Sequence, residues 1–298
     1  MHNIRASLVT GASSGIGAAL ARALARPGTT LHLSGRNQVR LDAVAASCRD
    51  RGAAVESRVL DVCQMAAMAD WTRAAGRLDL VIANAGISGR SPNGGPENAA
   101  QTRAIFDVNL FGVLNTVLPA VEIMTQQPPG EDGIRGRIVA IASIAAFLAA
   151  PDSAAYCASK AAVDRWMVAT APAARRNGIV LTSVCPGFIS TAMTAGYKFP
   201  MPGLMDADHA ARVILRGVAA RRMRVVFPWW VGLAARAAGL LPPRVMGRCG
   251  GVRLEAARAT RLDRTGLRRR TLPLPPRLRR RRVRRALAVR PPPGCGRH

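Results

Sequence analysis

The chain has 298 residues, enough for one sizeable core with an appendage or for two small domains. Its six scattered cysteines show no CxxC or HxxxH spacing, which argues against a disulfide scaffold and against a metal site and implies a reducing setting. The formal net charge of +26 suggests nucleic acid or membrane, but residues 251–298 hold 16 Arg and 2 acids, so +14 of the excess sits in this last stretch.

The opening stretch MHNIRASLVTGASSG lacks the long apolar core of a secretion signal, so cytoplasmic placement is expected. The first strand, expected over 6–10, runs into TGASSGIG (Thr10–Gly17), which opens a helix over 16–26. Gly11, Gly15 and Gly17 permit a tight turn, close backbone approach to a pyrophosphate and close helix packing. Ser13, Ser14 and Ile16 lie in the same turn, and a helix N-terminus there favours an anion. The second strand, 30–34, ends in SGRN, where NAD-preferring folds place an acid. Here Gly35 leaves room and Arg36 supplies charge for a 2′-phosphate, so NADP (NADPH) is favoured over NAD.

A helix over 38–51 leads to the third strand, 54–60, which ends at Asp61 and Val62. Asp61 is placed to accept from an adenine amine, or else to cap the helix over 64–75. The fourth strand, 78–85, ends in Asn84, Ala85 and Gly86, at the sheet edge where ligands bind in open α/β folds. A long helix is expected near 97–125. Asn109 lies on it among apolar neighbours, as a satisfied buried amide or a site residue.

The fifth strand, 137–143, closes on Ser143, thirteen residues before Tyr156. In YCASK, Tyr156 and Lys160 share one face of a helix over 153–176. The chain has two lysines against 41 arginines, and Lys differs from Arg as a compact, rotatable point charge. Pro172 is expected to kink that helix or end it early. After a strand at 179–185 comes a Met-rich lid, 187–205, then a helix over 206–221 and a strand at 224–227. The stretch 225–243 is the nearest approach to a membrane-spanning helix but is broken by Pro228 and Arg236. It reads either as a last strand and helix packed on the fold or a partner subunit, or as a peripheral membrane contact.

This alternation predicts an α/β, Rossmann-type, doubly wound and mainly parallel seven-stranded sheet with helices on both faces, over residues 1–248. Residues 249–298 form an Arg/Pro-rich tail without sustained period, for which disorder is expected. It holds no aromatic residue to stack on bases, which speaks against nucleic acid, and its composition also fits a shifted reading frame of a GC-rich gene.

TGASSGIG, NAG, Val108–Asn109, Ser143, YCASK and PGFIST (Pro186–Thr191), in this order and spacing, resemble the compact branch of the short-chain dehydrogenase/reductase family over about residues 4–228. The segment ending in FPWW looks like a bacterial subgroup. The resemblance implies that Tyr156 is the general acid/base, tuned by Lys160, which also binds the nicotinamide ribose. It implies that Ser143 holds the substrate oxygen and that Asn109 positions a relay water. Asn84, Ala85 and Gly86 would lie along the cofactor, Pro186, Gly187 and Thr191 at its nicotinamide amide. Ser143, Tyr156 and Met193 of the lid would frame a small apolar carbonyl or alcohol. The implied protein is an NADP(H)-dependent oxidoreductase, a homodimer or homotetramer. The alternatives are a non-catalytic NADPH sensor and a membrane- or nucleic-acid-tethered protein.

Overall fold

The computed structural model describes residues 4–88, 97–150, 153–195 and 200–242; the expected tail and residues 196–199 of the expected lid lie outside them. Strands β1 (Ala6–Val9), β2 (Thr30–Gly35), β3 (Ala54–Val59), β4 (Leu80–Ala83), β5 (Gly136–Ile141) and β6 (Ile179–Pro186) lie in one sheet. Two short strands follow, β7 (Ile189–Ser190) and β8 (Met205–Asp206), and then β9 (Arg224–Phe227). The seven-stranded sheet has the order β3-β2-β1-β4-β5-β6-β9, and every pairing in it is parallel.

Parallel strands need crossover helices, which cover both faces and make the central strands apolar throughout. Accordingly β4 and β6 are buried at every residue. One face carries α1 (Gly15–Leu24), α2 (Gln38–Arg49) and α7 (Ala207–Ala219), through Leu20, Leu41 and Ile214 among others. The other carries α3 (Met65–Ala74), α5 (Gly112–Gln126) and α6 (Ala154–Arg176), where Trp71, Met124 and Met167 fill the layer. Because β1 pairs with β2 on one side and β4 on the other, the connections diverge there and open a crevice at the carboxyl ends of the strands.

The long helix expected near 97–125 runs over Ala99–Gln126, as α4 (Ala99–Phe106), a π-helical turn (Asp107–Phe111) that was not expected, and α5. Three expectations need correction. Pro172 does not end its helix early: α6 runs on to Arg176, since a proline within the last turn and a half removes a single backbone bond. Asp61 does not cap α3, whose N-cap position is Gln64; its Oδ1 instead accepts from Cys63 N at 3.0 Å, closing a local turn. Among the described residues the helical run long and apolar enough to cross a membrane is Ala99–Gln126, not 225–243, and half of it is buried in the fold. The final helix, α8 (Trp229–Gly239), follows β9 through Pro228 and packs by Val231 and Ala235 against Ile144.

Candidate active site

The turn between β1 and α1 is built so tightly that side chains are excluded from it. Gly11 (φ 64°) and Gly15 (φ 54°) adopt left-handed backbone, which other residues populate rarely. A Cβ at Gly17 would fall 2.3 Å from the Gly11 carbonyl oxygen. Asn84 holds this turn from the end of β4: its Nδ2 donates to the carbonyls of Thr10 (3.0 Å) and Gly11 (3.2 Å). Thr10 Oγ1 in turn accepts from the backbone N–H groups of Asn84 and Ala85. The Asn84 amide therefore braces the glycine turn, and Thr10 is a partner that motif reading overlooked. At the N-cap of α1, Ser14 makes no side-chain cap, which leaves the helix N-terminus open toward the crevice.

Gly35 lines the cleft, and since a Cβ there would meet Ser13 at 3.0 Å, the glycine also lets the turn lie on β2. The charge expected beside it is present. Arg36 reaches Asp61 at 3.7 Å, a loose pair between an exposed guanidinium and a part-buried carboxylate, and both line the cleft. Arg40, one helical turn on, lines it too and was missed by a reading confined to the strand end. Asn37 separates them as the N-cap of α2, its Oδ1 accepting from Arg40 N at 2.9 Å.

At the other end, Tyr156 and Lys160 stand on α6, whose first turn is tethered by Glu97: Oε2 accepts from Ala155 N at 2.8 Å. Lys160 is buried; its Nζ donates to the Ile141 carbonyl (2.8 Å) and sits 5.9 Å from the centre of the Tyr156 ring. Burial lowers its pKa from 10.5 to about 8. Ser143 caps the short 3₁₀ turn Ile144–Phe147, its Oγ accepting from Ala145 N at 3.1 Å, so the hydroxyl proton is left to donate elsewhere. Asn109, in the π-helical turn, is fully buried. Its Oδ1 accepts from Ile87 N (2.8 Å) and its Nδ2 donates to the Ile87 carbonyl (2.9 Å) and Ser159 Oγ (3.2 Å). A Cβ at Gly86 would lie 3.2 Å from Asn109 Oδ1 and 3.4 Å from Lys160 Nζ, so both close on the same glycine.

A cleft of about 820 Å³ joins these parts. Gly11, Ser13, Ser14, Gly15, Ile16, Arg36, Asp61, Val62, Asn84, Ala85 and Gly86 line one side, and Ser143, Tyr156, Lys160, Pro186, Gly187, Thr191 and Met193 the other. Gly17 and Asn109 do not line it; they support it from behind. Thr191 closes the lid onto α1, its Cγ2 lying 3.1 Å from where a Gly15 Cβ would be. The lid is anchored by the β7–β8 pair and by Thr194, whose hydroxyl donates to the Ile189 carbonyl (2.7 Å). Around Ser143 and Tyr156 the walls are apolar: Ile144, Leu148, Phe188 and Met193.

A glycine cradle at a helix N-terminus, a pair of arginines twenty residues on, and a tyrosine–lysine pair at the far end suit a dinucleotide with a substrate beside it. Comparison with known proteins agrees. Residues 5–199 match the family described as short chain dehydrogenase. An uncharacterized oxidoreductase of Myxococcus xanthus is 36% identical over 247 residues, covering 80% of this chain and 93% of its own. A putative ketoacyl reductase of the granaticin polyketide synthase from Streptomyces violaceoruber is 33% identical, over 68% of this chain and 74% of that protein. A short-chain dehydrogenase from Sphingobium yanoikuyae, solved in complex with NADPH, superposes with a TM-score of 0.67 at 26% identity, covering 91% and 99% of the two chains. The chain thus belongs to the short-chain dehydrogenase/reductase family, as an NAD(P)-dependent oxidoreductase working between carbonyl and CH–OH groups.

Proposed function

We propose that the chain is an NADP(H)-dependent oxidoreductase of apolar carbonyl compounds and alcohols, with Tyr156 as general acid and base. The observation that carries this reading is the buried Lys160 ammonium 5.9 Å from the Tyr156 ring, at the apolar end of the cleft. A cation beside the phenol, at the apolar end of the cleft, supports the general acid/base role that the resemblance implies for Tyr156. In reduction Tyr156 donates that proton to the carbonyl oxygen; in oxidation it takes the proton from the alcohol. Ser143 donates its free hydroxyl proton to the same oxygen and steadies the charge that develops there. Lys160 and Asn109 act behind them. Asn109 fixes the Ile87 backbone and α6 together, which supports the relay role that the resemblance implies.

The cofactor supplies the hydride when bound. On the protein side, Gly11, Gly15 and the α1 N-terminus suit its pyrophosphate, and Arg36 with Arg40 suits a 2′-phosphate, which is why NADPH is preferred in this reading over NADH. Pro186, Gly187 and Thr191, which line the cleft, would hold the nicotinamide amide in this reading, as the resemblance implies. The NADPH bound to the Sphingobium relative is in keeping with this preference. Ile144, Leu148 and Met193 favour an apolar substrate. Phe111 and Leu118, exposed along the π-turn and α5, suit assembly into a homodimer or homotetramer.

The test is oxidation of NADPH and NADH by the purified protein across a panel of cyclic, long-chain and small polar ketones, beside Tyr156→Phe. Turnover with NADPH on the apolar members, abolished in the variant while cofactor binding stays, is the expected result. Binding without turnover on any member would overturn it in favour of a cofactor sensor.

A further inference from the structure

Helix α8 has a face that the fold does not use. Inward it presents Val231, Gly232 and Ala235, all buried. Both of its glycines serve close approach: a Cβ at Gly232 would lie 2.3 Å from Val226 Cγ1, and one at Gly239 would lie 1.9 Å from the Phe147 carbonyl oxygen. Outward stand Trp229 (74% exposed), Leu233 (61%) and Leu240 (87%), with Trp230 and Leu241 beside them. Arg236, the only charged residue of the helix, lies at the flank of this face, 4.6 Å from the Phe147 ring. Single exposed apolar side chains are ordinary, but Trp229, Trp230 and Leu233 on the helix with Leu240 and Leu241 directly after it put five large ones close together in the chain, as at an interaction surface.

The helix packs beside the cleft. A Cβ at Gly203 of the lid would be 3.2 Å from Trp230 Cζ2. The other end of the helix abuts Phe147 and Leu148, and Leu148 lines the cleft. Charge then selects the occupant. Among the described residues from His209 to Pro242 there are six arginines and no aspartate or glutamate. A twofold contact between copies would set two such acid-free segments face to face. An anionic bilayer satisfies both features: tryptophan and leucine enter the interface, where indole rings prefer to sit, and the arginines meet the headgroups.

We propose that α8 docks the protein on anionic phospholipid surfaces through Trp229, Trp230, Leu233, Leu240 and Leu241, and so holds the mouth of the cleft against the source of its apolar substrate. Docking itself stands apart from the catalytic reading; only the lipid route into the cleft rests on it.

Vesicle flotation of the full chain tests the docking. With phosphatidylcholine vesicles containing phosphatidylglycerol the protein floats. On pure phosphatidylcholine, or with Trp229→Glu/Leu233→Glu on the mixed vesicles, partitioning falls at least tenfold. Both positions are exposed, so the variant keeps its melting temperature and its NADPH binding. Quenching by brominated lipids provides a second measurement on the unaltered protein: tryptophan fluorescence falls through Trp229 and Trp230, and the fall is lost in a Trp229→Phe/Trp230→Phe variant, since Trp71 is buried in the core and Trp166 packs partly buried on α6. Three results would overturn the proposal. One is flotation undiminished in the variant, which would assign binding to the Arg-rich stretch. Another is absence of flotation or of quenching. The last is a dimer dissolved by the substitutions without vesicle binding, which would give the face to a second copy. Failure of ketone turnover leaves flotation untouched, so the two readings are separable.

Discussion

Replacing Lys160 by Met keeps the volume of the stem and removes the charge, and its consequences for stability and for catalysis run in opposite directions. The unfolded chain holds the lysine proton up to about pH 10.5, the native state only to about pH 8. Between these values the unfolded state binds more protons, so native stability rises with pH; below pH 8 the native state carries the whole cost of the buried cation. That gap is worth about 3 kcal/mol. Lys160→Met lifts the cost but takes the Nζ hydrogen bond from the Ile141 carbonyl, worth roughly 1–3 kcal/mol when a buried acceptor loses its partner. The variant is therefore as stable as the wild type or up to about 2 kcal/mol more stable at pH 7, and less stable than it at pH 10.5. The difference swings by about 3 kcal/mol, roughly 6–12 °C in melting temperature for a fold of this size. Turnover at pH 7 falls on the order of 10²-fold or more, because the proton-transfer group loses its tuner. Thermal melts of both proteins from pH 6 to 10.5, alongside ketone reduction, measure this. Melting curves that stay parallel across that range would refute the reasoning, since the lysine would then not be desolvated.

Three further outcomes are expected. Arg36→Ala and Arg40→Ala each raise the dissociation constant for NADPH roughly 10- to 100-fold, a charge-assisted bond being worth roughly 1.5–3 kcal/mol, and leave that for NADH unchanged in cofactor titrations. Asp164→Ala strands Arg224, which now pairs with that carboxylate through bonds of 2.8 and 2.7 Å, and Ser183, whose hydroxyl donates to it at 2.7 Å. Losing one partner of so buried a pair costs about 3–5 kcal/mol, so calorimetry should show melting lowered by roughly 6–20 °C. Gly17→Ala drives a methyl into the Gly11 carbonyl and the Asn84 amide, and cofactor binding in the same titrations falls at least a hundredfold.

The strands and the glycine turn were readable because their signals are local. Apolar runs such as Leu80–Ala83 declare a doubly covered strand, and three glycines after one declare a cradle. What escaped depends on contacts between distant segments. The π-helical turn at Asp107–Phe111 has the same apolar content as the helix around it. It is seen only where Gly112 abuts Val62, with 2.5 Å between a would-be Cβ and Cγ2. Asn84 carries an amide suited to a ligand, but its direction is set by the carbonyls of Thr10 and Gly11, seventy-odd residues away. Gly35 lines the cleft as expected, but its contact with Ser13, which lets the glycine turn lie on β2, has no local signal. Arg40 was hidden by belonging to an exposed helix start, and β7 with β8 by a length of two residues each.

The brace between Asn84 and the β1–α1 turn also fixes when in folding the nucleotide pocket comes into being. The β1–α1–β2 unit makes its contacts locally, yet the cradle stays open until β4 is laid beside β1, a closure spanning more than seventy residues. Contacts of such long sequence separation form late and set the pace of parallel sheets. A ligand that recognises only the closed pocket should then slow unfolding without hastening refolding, acting as a latch on the finished molecule rather than as a template for its assembly.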